Sequence, residues 1–169
     1  MKTAIYFSGK YGSTRQYATW LHQATGYPVF DVAAPAPDHS GFERLILGTS
    51  IIVGAPTVKK WLASHWETIR EKPILLFTVS GTPPGHPDLD TWLERHLPHE
   101  MRSAMDVVAL RGRLDLSALP FWLRWMLRLA GKANQDPEAG RRMREGFDYM
   151  DKASLEPILQ WAGIEAQTS

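Results

Sequence analysis

"YFSGKYGSTR", residues 6–15, follows the short apolar run "KTAIYFS" and leads into "STRQYATWLHQAT". The first run is rich in β-forming residues and ends at a glycine, which predicts a strand. The second sets Tyr17, Leu21 and Ala24 at helical spacing and stops at Gly26, which predicts a helix. Between them Gly9 and Gly12 and three hydroxyls, those of Ser8, Ser13 and Thr14, surround Lys10. A glycine-bearing strand-to-helix loop suits an anion, because the first amides of the helix lack acceptors and the helix dipole favours negative charge. The glycines let the backbone turn closely around a ligand. Neither G-x-x-x-x-G-K-[ST] nor G-x-G-x-x-G is present, which disfavours a nucleoside triphosphate or a dinucleotide and fits a monophosphate better. The plainer reading makes Ser13 a helix cap and Gly12 a turn residue.

Working outward, strands and helices alternate. "YPVFDVA" predicts a second strand, "APAPDHSG" a loop and "ERLILGTSIIVG" a third strand. "TVKKWLASHWETIRE" predicts a helix with Trp61, Leu62, His65, Trp66 and Ile69 on one face, and "PILLFTVSG" a fourth strand. "PDLDTWLERHL" predicts a helix, with Asp88 or Asp90 near its start. "MDVVALRGRL" predicts a fifth strand and "SLEPILQWAG" a final helix despite Pro157. The uninterrupted runs "LIL" and "ILLF" suit strands covered on both faces. The order implies an α/β fold: a parallel sheet between two layers of helices. Ligands in such sheets bind beyond the carboxyl ends of the strands. The third and fourth strands end in "GTSIIVG" and "TVSGTPPG", also small and hydroxylic. Three such loops at one sheet edge suit a flat heteroaromatic ligand with a phosphate tail.

The chain has 169 residues, 44% of them hydrophobic and 22% charged, which fits a single soluble domain over 1–169 with one sizeable core. Net charge is +1, giving no global field for nucleic acid. With no cysteine, thiolate metal sites, thiol nucleophiles and disulfides are excluded. The first residues form neither a signal peptide nor a spanning helix, so a cytoplasmic location is expected.

"IYFSGKYGSTRQYATWL" resembles the first strand, phosphate loop and first helix of the flavodoxin family. "RLILGTSIIVG" is similar to the family's third strand and flavin loop in the branch of menaquinone-dependent protoporphyrinogen dehydrogenases. "ALRGRLDLSALPFWLRWMLRLAGK" and "FDYMDKASLEPILQWA" resemble that branch's fifth strand, inserted helix and final helix. The likeness implies a flavodoxin-like three-layer sandwich with a five-stranded parallel sheet and an inserted helix before the last one, 112–150 being the insertion-like segment. It implies FMN as cofactor, with Ser8, Lys10, Tyr11, Gly12, Ser13 and Thr14 around its phosphate. Ser50, Ile51, Ile52, Val53 and Gly54 would run along the isoalloxazine, and Thr78, Val79, Ser80 and Gly81 would contact it from the other side. It implies an oxidoreductase or electron-transfer protein with a quinone as acceptor. The flavin carries such chemistry, so no catalytic side chain is named. The chain departs from the family where an aromatic residue often stands, at Ile52 and Val53; a stacking contact there is worth ~0.5–1.5 kcal/mol. The alternative is a flavodoxin-like binding module without flavin.

"SALPFWLRWMLRLAGK", residues 117–132, predicts a helix with Pro120 in its first turn. Leu119, Trp122, Leu123, Met126, Leu127 and Ala130 share one broad face, with Arg124 and Arg128 on another. The bland reading packs this helix on the sheet with solvated arginines. The functional reading docks Phe121, Trp122, Trp125, Arg124 and Arg128 at a membrane surface, placing the protein at the inner face of the membrane. Arg111, Arg113, Arg124 and Arg128 could meet propionates or lipid head groups. Residues 134–151 read as a loop leading to the last helix, with Arg141, Arg142 and Arg144 solvated. His96 and His99, with His86 and Glu100 nearby, are interrupted by Pro98 and are not expected to bind metal. No G-x-S-x-G elbow surrounds Ser80, and no acidic cluster follows the first strand, which argues against a hydrolase and a phosphoacceptor receiver.

Overall fold

The computed structural model describes residues 1–35 and 38–164. Parallel strands β1 (Thr3–Ser8), β2 (Val29–Asp31), β3 (Arg44–Ile52), β5 (Ile74–Ser80) and β6 (Met105–Arg111) form one sheet in the order β2-β1-β3-β5-β6. Two-residue β4 (Ala55–Pro56) folds back antiparallel on β3, pairing Ile52 with Ala55. With β4 set aside, this is the doubly wound order 2-1-3-4-5, whose switch point lies between β1 and β3. In register, Ser8 of β1 stands beside Thr49 of β3, and Thr49 beside Thr78 of β5. The three small hydroxylic loops therefore leave the sheet together at one edge.

The central strands β1, β3 and β5 are largely apolar because both their faces are covered. Ala4, Tyr6, Leu45, Leu47 and Leu76 pack under α2 (Lys59–Ile69), α3 (Pro87–His96) and α4 (His99–Ser103), which contribute Leu62, Trp66, Ile69, Leu93 and Met101. Ile5, Phe7, Ile46, Leu75 and Phe77 pack under α1 (Ser13–Thr25) and α7 (Glu156–Ala162), which contribute Tyr17, Leu21 and Ile158. This is a three-layer α/β sandwich with a five-stranded parallel sheet. Gly48 is required at its centre: a Cβ there would collide with the buried Phe77 ring.

The segment after β6 differs from the sequence reading. β7 (Arg113–Leu114) and β8 (Phe147–Asp148) form a separate antiparallel pair. Two helices, α5 (Phe121–Ala133) and α6 (Pro137–Glu145), lie between them where one helix and a loop were expected. Residues 134–151 fold because Asp136 accepts from the Glu138 amide, Pro137 opens the first turn and Gly146 ends the helix at φ +76°. Pro120 is the N-cap of α5 rather than part of its first turn, and residues 116–118 form a separate 3₁₀ turn. The buried face of α5 is also rotated from the expected one. Leu123, Leu127 and Gly131 turn inward, whereas Trp122 and Met126 are 58% and 50% exposed. The cause is a backbone crossing of α5 and α6: a Cβ on Gly131 would stand 2.6 Å from the Gly140 carbonyl oxygen, and one on Gly140 2.5 Å from that of Gly131. Final helix α7 begins at Glu156, with Pro157 harmless in its first turn.

Candidate functional site

The loop from β1 to α1 is held open by backbone geometry. Gly12 is the N-cap of α1 at φ +95°, in the left-handed region, and provides no side-chain cap. No acidic residue occupies the first turn of α1. By contrast, α3 and α6 are capped by His86 and Asp136 and carry acidic residues in their first turns. The first amides of α1 and its dipole are thus left for an external anion. Lys10 is exposed, its Nζ 5.8 Å from the centre of the half-buried Tyr11 ring. The hydroxyls are placed differently from Lys10. Ser13 Oγ accepts from the Arg113 amide at 3.0 Å and donates to the Arg113 carbonyl at 3.0 Å, fastening α1 to β7. Thr14 Oγ1 and Ser50 Oγ share a hydrogen bond of 2.6 Å. The Ser8 carbonyl accepts from Thr57 Oγ1 at 2.8 Å. These groups brace the loop, and the backbone amides remain to face a ligand.

The second loop forms a tight hairpin tip. Val53 and Gly54 have φ +50° and +71°, and Val53 is 96% exposed. Gly54 lies against the Trp92 indole, where an added Cβ would come within 3.0 Å of Cδ1. Ile51 and Ile52 are half-buried. In the third loop Thr78 and Val79 are buried at the end of β5, and Ser80 Oγ accepts from the Thr82 amide at 3.3 Å. Gly81 is fixed from outside: its carbonyl accepts from Arg111 Nη2 at 2.8 Å and Nε at 3.2 Å. The Arg111 guanidinium lies 3.6 Å from the centre of the Tyr149 ring, which in turn stacks on Phe147. Arg111 therefore orders the loop.

Between the three loops lies a cavity of about 210 Å³. Its floor includes Ser13, Ser50, Ile51, Val79 and Gly81, and Tyr11 of the β1–α1 loop lines it too. Its roof was not read from the sequence: Leu119 just before α5, Leu123 and Leu127 from α5, and Leu114 and Phe147 from the β7–β8 pair. Phe147 sits so close to Gly81 that a Cβ on Gly81 would be 2.5 Å from Phe147 Cζ. Gly146 just before Phe147 was the available signal, and β8 brings to the cavity an aromatic ring that Ile52 and Val53 do not. A second cavity of about 270 Å³ shares Ile51, Val53, Ser80, Gly81, Leu114 and Phe147 with the first. It is more polar, with His86, Asp88, Asp136 and Arg142 in its wall. The two adjoin across those shared residues.

The Flavodoxin domain family model matches residues 4–139. The chain belongs to the flavodoxin domain family. Its matched span covers the sheet, all three loops and α5. No curated protein matches the chain. Among solved structures, the Trp repressor binding protein of Bacillus subtilis is similar at 14% identity, with 89% of this chain and 100% of that one covered and a TM-score of 0.47. A flavodoxin from the domain Archaea is similar at 14% identity, with 86% and 95% covered and a TM-score of 0.47. A flavoprotein from Lactobacillus acidophilus NCFM, solved in complex with FMN, is similar at 13% identity, with 65% and 91% covered and a TM-score of 0.45.

The clearest shifts in acidity lie elsewhere. On the α2 side of the sheet, burial pushes the Tyr6 phenol up, aided by the charge of Asp38. Burial, then Lys72 and His65, push the neighbouring His39 down. His65 is half-buried, its ring stacked on Trp61 and its Nδ1 2.8 Å from the Trp61 carbonyl. His96 and His99 end α3 and begin α4.

Proposed function

We propose that this flavodoxin domain binds FMN and works as a redox protein, passing reducing equivalents between an organic substrate and a quinone. The observation that carries the reading is the uncapped amino terminus of α1 opening beside an apolar cavity at the carboxyl ends of β3 and β5. The residues present fit the group. Backbone amides at Gly12 to Thr14, with Lys10 alongside, would hold the phosphate. Ile51, Val79, Gly81 and Phe147 would enclose the ring. Bound FMN supplies one- and two-electron chemistry. The chain's own contribution is position and exclusion of water. Arg111 holds the Gly81 carbonyl in place, Ser13 ties the phosphate loop to β7, and the leucines of α5 keep the cavity dry. A dry, leucine-lined roof supports an apolar acceptor such as a quinone over a polar one, and is consistent with the likeness to menaquinone-dependent protoporphyrinogen dehydrogenases. The binding module without flavin draws support from one observation, the engagement of Ser13 and Thr14 within the protein. A reconstitution assay separates the readings. Protein loaded with FMN, reduced photochemically under argon and mixed with a short-chain soluble quinone should reoxidise in step with quinone loss. Reduced protein that ignores quinone but yields electrons to oxygen would remove the quinone from the proposal.

A further inference from the structure

The roof helix has a second, outward face. Five of the eight exposed large hydrophobic residues among those described lie on α5: Phe121, Trp122, Trp125, Met126 and Leu129, at 47–76% exposure. At about 100° per residue they span roughly 140° of the helix circumference, with Arg128 and Lys132 at its Phe121 side. Both cations are exposed and make no ion pair among the described residues, and residues 121–133 contain no aspartate or glutamate. Soluble surfaces scatter large apolar residues singly, so a contiguous aromatic patch marks a contact.

We infer that α5 seats the protein on an anionic lipid surface, its Trp122, Trp125 and Leu129 face entering the head-group boundary and Arg128 and Lys132 meeting lipid phosphates. Charge selects this occupant. A second copy of the chain would join the same face to itself, and each protomer's α5 would bring cations and no anion. A bilayer bearing anionic lipid offers the opposite charge, and its interface accepts the amphipathic tryptophan rings. The helix lies on the surface rather than across it, because no described helix is long and apolar enough to span a membrane. The geometry also gives α5 two roles at once. Leu123 and Leu127 line the cavity while the opposite side meets lipid. The inference itself does not depend on a bound cofactor.

Flotation of the full chain with phosphatidylcholine vesicles, with and without phosphatidylglycerol, tests it. The protein should float with the anionic vesicles at low salt and stay at the bottom with neutral ones or at ~1 M salt. The double variant Arg128→Gln/Lys132→Gln should weaken binding roughly thirtyfold. Trp122→Ser/Trp125→Ser should abolish flotation; both positions are solvent-facing, so an unchanged circular dichroism spectrum is expected and would confirm that folding is intact. FMN affinity should be equal in the charge variant and the parent, which separates this test from that of the redox reading. Failure to float with anionic vesicles would overturn the inference. So would flotation indifferent to both variants, or a dimer in solution that dissociates when Trp122 and Trp125 are replaced.

Discussion

Replacing Val53 by asparagine should stabilise the protein while weakening its hold on FMN. Val53 and Gly54 are the two central residues of the β3–β4 hairpin, and both have positive φ, as a tight type I′ turn requires. Asparagine suits that position, whereas a β-branched residue there is an outlier. The left-handed region costs an L-residue roughly 1–2 kcal/mol. Val53 is 96% exposed, so replacing it sacrifices almost no burial in the absence of ligand. The expected gain is therefore about 1 kcal/mol, or roughly 2–4 °C in melting temperature for a chain of this size. Urea unfolding followed by far-ultraviolet circular dichroism, without flavin, should show a higher midpoint at an unchanged slope. The same side chain stands at the rim shared by both cavities. Half-burying a valine against a flavin ring is worth about 1 kcal/mol, so the FMN dissociation constant should rise roughly fivefold. Opposite shifts in stability and affinity are the signature of strain kept at a binding site. A midpoint that is unchanged or lower in Val53→Asn would refute the strain argument. Unchanged affinity would remove Val53 from the flavin's surroundings.

Gly131→Leu should force α5 from α6, because even its Cβ would meet the Gly140 carbonyl oxygen at 2.6 Å. Overpacking of this kind costs ~1–3 kcal/mol or more, and the helix-propensity gain of about 0.8 kcal/mol does not offset it. Amide exchange in residues 121–133 should accelerate and FMN should dissociate faster, while the main sheet stays protected; unaltered exchange in α5 would contradict the crossing. Ser13→Ala should lower stability by ~1–3 kcal/mol, since the Arg113 amide loses its acceptor. A urea midpoint equal to the parent's would show that this brace is dispensable. The pKa of His39 is held below its ordinary value by burial, Lys72 and His65. Its contribution to stability is therefore complete above pH ~6.5 and is lost as pH falls from there through the lowered folded value. Replacing His39 with glutamine should flatten that stretch of the melting-temperature profile, and an unchanged profile would assign the acid sensitivity to another group.

The strands of the sheet were legible because burial on both faces leaves a continuous apolar signal, as in "LIL" and "ILLF". The turn from β1 into α1 was legible because glycine and hydroxyl spacing is local. What the hydroxyls bind was not: Ser13 reaches a backbone group one hundred residues away, at Arg113. α6 was missed because "PEAGRRMRE" is polar on nearly every side, and only its Asp136 cap and Gly146 stop identify it. The β7–β8 pair was invisible for a different reason. Two-residue strands carry no periodicity, and their partners are separated by both inserted helices. The rotation of α5 was misread because sequence periodicity ranks faces by hydrophobicity, while the structure chose the face with Gly131, the side that lets two backbones touch. That choice leaves the tryptophans outside.

The most direct test of the account is an FMN titration of purified, flavin-free protein, followed by flavin fluorescence and by visible absorbance. Saturable binding, with quenched or shifted flavin bands and an affinity that falls when Lys10 is replaced by glutamate, is the predicted result. Free flavin spectra persisting to high micromolar protein would contradict FMN binding at this edge, and with it the redox function.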